Sequence, residues 1–492
     1  MNFNIFGHLH QPSYVHLDQF NADVLLHIFS LTDVYTIGSL SQVNKHFHAV
    51  ASTKQLWISV IRDLSHRRLI DAPPDPILET LSTEALKDEI RRVVNGPNTW
   101  SAQSMSLPTI SRQITIALPE THRYSAAELL PGGTHIVLFF MSSQTRGLEC
   151  REVHTGRKVW SREAPNSHVR SAAFDLHGES KMVACLVNDE AGEYGIVVLE
   201  VNLRTGESRD HLDLPLHAEV PSEMQISGDF ICFRVAQTHG NPKSCVCVIN
   251  WRADHFIVLE LMSEKPPFAI FADHIMVSCP APDSAPGSQH QLQVFPLSTF
   301  DSTPLSELNS RPLILFRVVP STVLAASEQH NHNSPPIYFS ISVASGPLRE
   351  GRFEVTTVVI APRPETPKGT SLIARLARRY NSIPTPYGSA LLKTTFRYNL
   401  LLAPPHHLFF DLKSVSHDTT LALVETSRAG YSLWFVDGRV FVSRMEGGVR
   451  RGLEFSITPS EELDADFVNL ARSGAVLAVF RSPPRAVVLY YR

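Results

Sequence analysis

The sequence predicts a short helical region followed by a large all-β domain. Between positions 20 and 57, apolar residues recur at spacings of three and four, which places them on one stripe of two or three short helices. From about Arg112 the spacing changes to the alternation typical of strands, and it continues almost to the end of the 492 residues. The 34 prolines also disfavour long continuous helices.

The helical region at 20–57 is too short to be stable by itself. A chain of about 40 residues lies below the size at which one apolar core usually suffices, so part of its apolar stripe is expected to meet another surface. The first helix is predicted to begin at Asn21, whose side chain can cap it. Asp23 then lies in the first turn, where a negative charge suits the helix dipole.

The order of residues in this region resembles the F-box family. In that family a Leu-Pro pair is followed by a leucine, an Ile-Phe pair, a leucine-rich middle, a Val-x-Lys-x-aromatic run and a closing Leu-Trp. The matching positions here are Phe20, Asn21, Leu25, Ile28, Phe29, Leu31, Leu40, Val43, Lys45, Phe47, Leu56 and Trp57. Phe20 and Asn21 depart from the family pattern, so a partner contact made by the proline would be lost.

The resemblance implies a function as well as a fold. F-box helices dock on a Skp-type adaptor, which joins a cullin scaffold, and the carboxy-terminal domain captures the client protein to be ubiquitinated. The positions expected at this adaptor contact, or supporting it, are Phe20, Leu25, Ile28, Leu31, Leu40, Val43, Lys45, Phe47 and Trp57. On this hypothesis the chain is a non-catalytic substrate receptor without cofactor or metal, and it works in the cytoplasm, the nucleus or both.

A helical linker is predicted between the two regions. The helix that contains Trp57 is expected to run to the proline cluster at 73–76, and a second helix, capped by Ser82 or Thr83, is expected to end at a Gly-Pro pair. Trp100 is expected to pack at the junction between the linker and the β domain. A Pro-broken helical spacer of this kind is similar to the one that links the F-box to the second domain in many fungal F-box proteins. The predicted segments are a flexible lead-in at 1–19, the F-box-like region at 20–65, the linker at 66–111 and the β domain at 112–492.

A loose repeat of about 40–50 residues runs through the β domain. Each unit has an entry strand, a Gly-containing turn, a buried strand, a variable loop and two more strands joined by a hairpin. Four strands in a unit of that length are typical of a β-propeller blade, and the span predicts seven blades, with six or eight as alternatives. A pair of β-sandwiches is the alternative fold, because the repeat weakens after residue 300. The clearest strands are at 113–118, 135–141, 182–187, 195–201, 229–235, 245–251, 255–261, 274–279 and 291–297.

The last unit supplies three strands rather than four. The run at 113–118 can provide the missing outer strand, which would close the ring and remove two exposed edges. Residues near the start of the β domain are therefore expected to pair with residues near position 490.

No motif indicates a nucleotide site, a hydrolytic nucleophile or a metal site. The six cysteines include no C-x-x-C pair and lie in apolar runs, which predicts buried, reduced thiols in an intracellular compartment. The net charge of −4 gives no basic field for nucleic acid, and no apolar run is long enough to cross a membrane. Three histidine pairs lack acidic or thiol partners at ligand spacing: His8/His10, His330/His332 and His406/His407.

Arg375, Arg378 and Arg379 form a basic cluster within a run that reads as a short amphipathic helix. The cluster indicates either a solvated face or a docking patch for an acidic or phosphorylated client segment.

Two other functions stay open: a propeller enzyme or ligand-binding protein with a helical cap, and an F-box scaffold outside any ligase. A channel-mouth pocket with carboxylates or histidines of shifted pKa would favour the first, and an adaptor complex without cullin would favour the second.

Overall fold

The fold is described from a computed structural model of the chain. It describes residues 17–71, 73, 75–100, 108–143, 145–164, 167–177, 180–190, 193–216, 222–236, 244–260, 267–280, 290–299, 303–308, 322–325, 338–346, 348, 351–362, 391–402, 407–410, 416–418, 427, 431–436, 439–446, 449–455 and 465–491.

The amino-terminal part of the described chain is helical. Asn21 caps the first helix as predicted, because its Oδ1 accepts a hydrogen bond from the Val24 N–H at 2.9 Å. Asp33 and Asn44 cap the next two helices in the same way. The helices are α1 (Ala22–Ser30), α2 (Val34–Leu40), α3 (Lys45–Ala51), α4 (Lys54–His66), α5 (Asp75–Leu78) and α6 (Thr83–Asn95).

Helix α4 ends at His66, before the proline cluster at which the sequence predicted its end. Arg68 has a positive φ of 58°, a conformation that a continuing right-handed helix cannot contain. The chain folds back there, and the Leu69 N–H donates to the Leu64 carbonyl at 2.8 Å. We name residues 67–71 the plug segment, because these residues line and close one end of the channel in the β domain, as described below.

The second linker helix agrees with the sequence prediction. Ser82 caps α6, and the helix ends at Gly96, which has a φ of 84°. Trp100 is 3% exposed, and its ring centroid lies 5.1 Å from that of Tyr431 and 5.2 Å from that of Tyr491, which confirms the predicted junction. Buried residues of α1, α3, α4 and α6 share one apolar cluster. The predicted segment boundaries stay a prediction.

The described part of the β domain consists of short antiparallel strands. They are β1 (Ile110–Ala117), β2 (Arg123–Leu129), β3 (His135–Met141), β4 (Arg146–Glu152), β5 (Lys158–Ala164), β6 (Ser167–His177), β7 (Lys181–Glu190), β8 (Glu193–Asn202), β9 (Ser208–Leu216), β10 (Ser222–Ser227), β11 (Phe230–Ala236), β12 (Ser244–Asn250), β13 (His255–Glu260), β14 (Phe268–Phe271), β15 (His274–Pro280), β16 (His290–Pro296), β17 (Thr303–Pro304), β18 (Thr322–Ala325), β19 (Tyr338–Ser345), β20 (Arg352–Pro362), β21 (Leu391–Leu401), β22 (His407–Phe410), β23 (Ser416–Asp418), β24 (Ser432–Val436), β25 (Arg439–Glu446), β26 (Val449–Phe455), β27 (Ala465–Leu470), β28 (Val476–Arg481) and β29 (Pro484–Tyr491).

In the described residues these strands form seven sheets, most of them built from consecutive strands. The sheets are β2–β5, β6–β9, β10–β13 with β17, β14–β16 with β18, β19–β22 with β23, β24–β26, and β1 with β27–β29. Buried apolar clusters lie between successive sheets. The innermost strands β2, β6, β10, β14, β19 and β27 line one cavity of ≈ 560 Å³. Sheets that pack face to face around a central channel are a β-propeller, as predicted, and not a pair of sandwiches. The blade count stays a prediction.

Strand β1 closes the ring. It pairs antiparallel with β29 at the end of the described chain, with Ile114 opposite Val488 and Ile116 opposite Ala486. The order β1-β29-β28-β27 makes β1 the outer strand of the last sheet, which confirms the predicted closure. Ile116 is 2% exposed and packs in the core between this sheet and β2–β5.

The described cysteines are structural. Cys150, Cys232, Cys245 and Cys247 are buried thiols, as the sequence predicted. Burial raises the pKa of the Cys150 thiol to about 12, so the reactive thiolate is scarce at neutral pH.

Candidate functional site

Three of the predicted adaptor-binding residues lie inside the helical region. Leu25, Phe47 and Trp57 are 0%, 4% and 8% exposed and belong to its apolar core. The Trp57 Nε1–H also donates to the Ala51 carbonyl at 2.8 Å, which joins the start of α4 to the end of α3. These side chains fix the arrangement of the helices, and any support they give to a partner contact is indirect.

The other predicted positions lie closer to the surface. Ile28 and Leu40 are half-buried against the same core, whereas the exposed positions are Phe20, Leu31, Val43 and Lys45. Leu31 follows the last turn of α1 and is 75% exposed, and Val43 lies between α2 and α3 and is 65% exposed. Two of the predicted residues are therefore strongly exposed aliphatic side chains.

The structure adds two apolar side chains that sequence reasoning did not assign to the contact. Val24 on α1 is 41% exposed and Tyr35 on α2 is 57% exposed. Spacing alone could not have identified Val24, because Leu26 is also one residue from the buried Leu25 and yet packs against the core. We name the following residues the exposed apolar set: Phe20, Val24, Leu31, Tyr35 and Val43.

The helical region is joined to the β domain at the channel. In the plug segment Asp71 is 3% exposed, and the Ser473 hydroxyl donates to its carboxylate. Arg68 lies against Gly132, and the Asp71 side chain lies against Gly133, in the turn between β2 and β3. A Cβ atom on Gly133 would lie 2.6 Å from the Asp71 Cγ, so this close approach requires glycine.

A second junction lies at α2. The Tyr35 N–H donates to the Leu348 carbonyl, between β19 and β20, at 3.0 Å. This contact involves the first turn of α2, where backbone N–H groups have no partner within the helix. The plug segment, α2 and Trp100 together hold the helical region against the β domain at separate places.

The cavity inside the channel carries charged groups of both signs. Its lining includes the carboxylates of Asp71, Glu128 and Asp175, together with Arg67 and Arg68 of the plug segment. Asp175 accepts hydrogen bonds from the N–H groups of Leu176 and Gly228 at 2.8 and 2.7 Å, so it stabilises a turn. Among the described residues, no three His, Cys, Asp or Glu side chains are grouped as metal ligands would be.

His135 lies beside the plug segment and provides a pH test of the junction. Burial, reinforced by the nearby Arg68 charge, lowers the pKa of its imidazole to about 4, although Glu152 opposes this shift. Between pH 6.5 and 4 the unfolded chain binds a proton at His135 that the folded chain excludes. Stability is therefore lost as the pH falls through this window.

We expect wild-type protein to lose about 2 kcal/mol more stability than His135→Gln between pH 7 and 4.5. Urea unfolding of both proteins at the two pH values measures the difference. Equal losses would show that the buried neutral imidazole does not contribute.

Some predicted features lie outside the described residues. They include Arg375, Arg378 and Arg379, five of the six paired histidines, and most of the lead-in at 1–19. His407 begins β22, of which only the backbone is described. In the described part of the chain, no helix is long and apolar enough to span a membrane.

Comparison with known proteins agrees with the helical region. Residues 22–63 match the family model described as F-box-like, and this match covers α1 to α3 and most of α4. The chain therefore contains an F-box-like domain in front of a β-propeller, and the fungal type stays a prediction. No curated protein matches the chain in sequence.

Several solved structures are similar to the chain. Hydrazine synthase from Kuenenia stuttgartiensis is 11% identical, over 80% of this chain and 99% of that chain, with a TM-score of 0.41. The β-propeller domain of the Trilobed protease from Pyrococcus furiosus is 11% identical, over 76% and 97%, with a TM-score of 0.34. The Dos1 propeller is 8% identical, over 75% and 78%, with a TM-score of 0.33. None of these similarities identifies an activity for this chain.

Proposed function

We propose that the chain is the substrate-receptor subunit of a Skp-cullin-F-box type ubiquitin ligase. The observation that carries this proposal is the exposed apolar set on a region that matches the F-box-like family. Leu31 and Val43 keep most of their surface in water, although neighbouring apolar residues of α1, α2 and α3 are buried in one core. Apolar anchors of this kind supply most of the affinity in protein interfaces.

The proposed mechanism is proximity rather than bond chemistry. The F-box-like domain binds a Skp-type adaptor and through it a cullin, while the propeller holds a client protein in the cytoplasm or nucleus. Holding the client near a charged ubiquitin-conjugating enzyme raises the effective concentration of its lysines. The contacts of the plug segment support this mechanism, because they attach the helical region to the β domain beside the channel.

The start of α1 bears on the missing Leu-Pro pair. Asn21 supplies the cap that begins the helix, so a proline is not needed for helix formation at this point. Phe20 stays 37% exposed beside it. Any weakening of adaptor binding at Phe20 and Asn21 would therefore come from the lost partner contact rather than from a disordered helix.

Replacing both Leu31 and Val43 by Glu tests the adaptor contact. Each change places a charge in an apolar interface, and we expect the pair to weaken binding to a Skp-type adaptor by on the order of 100-fold. Both side chains are exposed, so the folded state should keep its stability. Purified wild-type and variant proteins are compared by pull-down with the adaptor and by calorimetry.

Ile77→Glu is the matched control, because Ile77 is 47% exposed on α5, outside the residues that match the family. It should bind the adaptor as wild type does. Adaptor binding that is unchanged in Leu31→Glu/Val43→Glu would contradict the docking surface. Substitutions at Leu25 cannot make this test, because a charge at a fully buried site unfolds the helices.

The presence of cullin separates a ligase from a scaffold. We expect the protein to recover both the adaptor and a cullin from cells, and to lose both in Leu31→Glu/Val43→Glu. Recovery of the adaptor without any cullin would instead support the scaffold alternative.

A further inference from the structure

The plug segment shows which end of the propeller channel is occupied by the chain itself. It lies at the carboxy-terminal ends of the innermost strands, since Leu129 of β2 and Phe271 of β14 line the same cavity as Arg68. Strand β2 runs from Arg123 to Leu129, so Arg123 lies about 20 Å away, at the opposite end of the channel. We call that opposite end the distal face.

A groove of ≈ 490 Å³ lies on the distal face. It runs between the sheet β2–β5 and the last sheet, β1 with β27–β29, which we call the closing sheet. Its walls are formed by the connection from β1 to β2, the end of β3 and the end of β28. We call it the distal groove. Its residues include Glu120, His122, Arg123, Met141 and Arg481.

Part of the distal groove is apolar and aromatic. The His122 ring stacks on Phe140 with centroids 4.4 Å apart and planes at 11°. Phe480 lines the other side of the groove. The Arg485 guanidinium lies over its ring, 4.7 Å from the ring centroid. Met141 adds a flexible apolar side chain, of the kind that adapts to different partners.

Arginines surround this apolar floor. Arg123 and Arg146 pair with Met141 from its two sides, so the three side chains lie on one face of the sheet. Arg123 and Arg146 are both exposed, and neither has an ion-pair partner within the described residues. Arg481 lies across the groove, whereas Glu120 is the one acidic residue in its lining as described.

We propose that the distal groove binds an acidic segment of the client protein that also carries apolar side chains. The proposal rests on the proposed function, and it assigns the client contact to a specific site on the propeller. Carboxylates of the segment pair with Arg123, Arg146 and Arg481, and its apolar side chains cover His122 and Met141. The plug segment explains why the client uses this face, because the other end of the channel already holds part of the chain.

Fluorescence anisotropy with two labelled peptides tests the proposal on full-length protein. One probe is a decapeptide that alternates Glu and Leu, and the other has Lys at each Glu position. We expect the acidic peptide to bind at least about tenfold more tightly than the basic one, and its affinity to fall as ionic strength rises. An acidic peptide that binds no better than the basic peptide would overturn the proposal.

Arg123→Glu with Arg481→Glu is the test variant, and Arg209→Glu is the control. Arg209 is exposed on the outer strand β9, where it lies opposite Glu200 of β8, and it does not line the distal groove. We expect the test variant to bind the acidic peptide on the order of tenfold more weakly, and the control to bind it as wild type does. Equal affinity in both variants would overturn the assignment to this groove.

Adaptor binding, measured on the same samples, separates this proposal from the proposed function. The test variant should keep full adaptor binding, because both substitutions lie in the β domain. Loss of peptide binding with adaptor binding intact supports the distal groove. Failure of wild-type protein to bind any Skp-type adaptor would reject the ligase role and leave the peptide result to stand by itself.

Discussion

Deletion of residues 110–117 should unfold the entire β domain rather than loosen one end of it. Strand β1 is the outer strand of the last sheet, and it joins the two ends of the propeller through its pairing with β29. Without it, β29 keeps a row of unpaired N–H and C=O groups, and the core between the closing sheet and β2–β5 is opened to water. We expect a loss of more than about 5 kcal/mol, which approaches the total stability of an ordinary domain.

A single substitution makes the same test without shortening the chain. Ile116 faces the core between the two sheets, so Ile116→Lys places a charge in an apolar site and should cost about 3 kcal/mol or more. Gln113→Lys is the matched control, because Gln113 lies on the same strand but is exposed. It should change stability by less than about 0.5 kcal/mol.

Denaturant unfolding followed by tryptophan fluorescence and by circular dichroism measures both variants. A closed ring should lose both signals together in Ile116→Lys, at a lower denaturant concentration than in the control. A separate early transition in one signal, with the rest of the domain unchanged, would show that β1 is a dispensable edge strand.

Short apolar runs bounded by turn residues were sufficient to predict most of this architecture. The runs 135–141 and 255–261 correspond closely to β3 and β13, because each strand is buried on both faces between neighbouring sheets and so needs a continuous apolar run. The pairing of β1 with β29 was also predictable, since a three-stranded last unit needs an outer strand. These features depend on local pattern and on the need to cover strand edges.

The end of α4 was beyond sequence reasoning for a physical reason. The pattern around Leu64 favours continuation, and the nearest strong breaker is the proline cluster. The positive φ of Arg68 is set instead by tertiary contacts, because the plug segment must reach Gly132 and Gly133. Local propensity cannot report a conformation that a distant turn imposes.

The candidate sites also contain residues that local pattern predicts and residues that only the tertiary structure reveals. The family pattern identifies which residues belong to the F-box-like region, but it does not separate Leu25, which is buried, from Leu31, which is exposed. That distinction depends on how three helices cross, which one-dimensional spacing does not encode. The distal groove was missed altogether, because Arg123 and Arg481 are 358 positions apart and meet only when the ring closes.

Gly133→Val should release the plug segment from the channel. A Cβ there would lie 2.6 Å from the Asp71 Cγ and 2.7 Å from its Cβ, so the valine and the aspartate cannot occupy their places together. The residue also has a φ of 66°, which costs a branched side chain about 1–2 kcal/mol. We expect a total loss of about 3 kcal/mol, with much of the change located at Asp71 and Ser473.

Limited trypsin digestion reports on the plug segment directly, because Arg67 and Arg68 are cleavage sites within it. Cleavage there, followed by mass spectrometry, should be at least about tenfold faster in Gly133→Val than in wild type, since a tenfold rise in an open population requires only about 1.4 kcal/mol. The helical core and the propeller should remain protected.

Gly228→Val separates the steric clash from backbone strain. Gly228 has a φ of 57° in the turn between β10 and β11, and a Cβ there would meet nothing within 4 Å. This control therefore carries a similar conformational cost without a clash against the plug segment. Fast cleavage in Gly133→Val alone would show that the plug segment holds the two domains together, because only that substitution removes its place in the channel. Equal cleavage in both variants would instead mean that loss of propeller stability exposes the segment, and the fixed geometry between adaptor and client would then lack its structural basis.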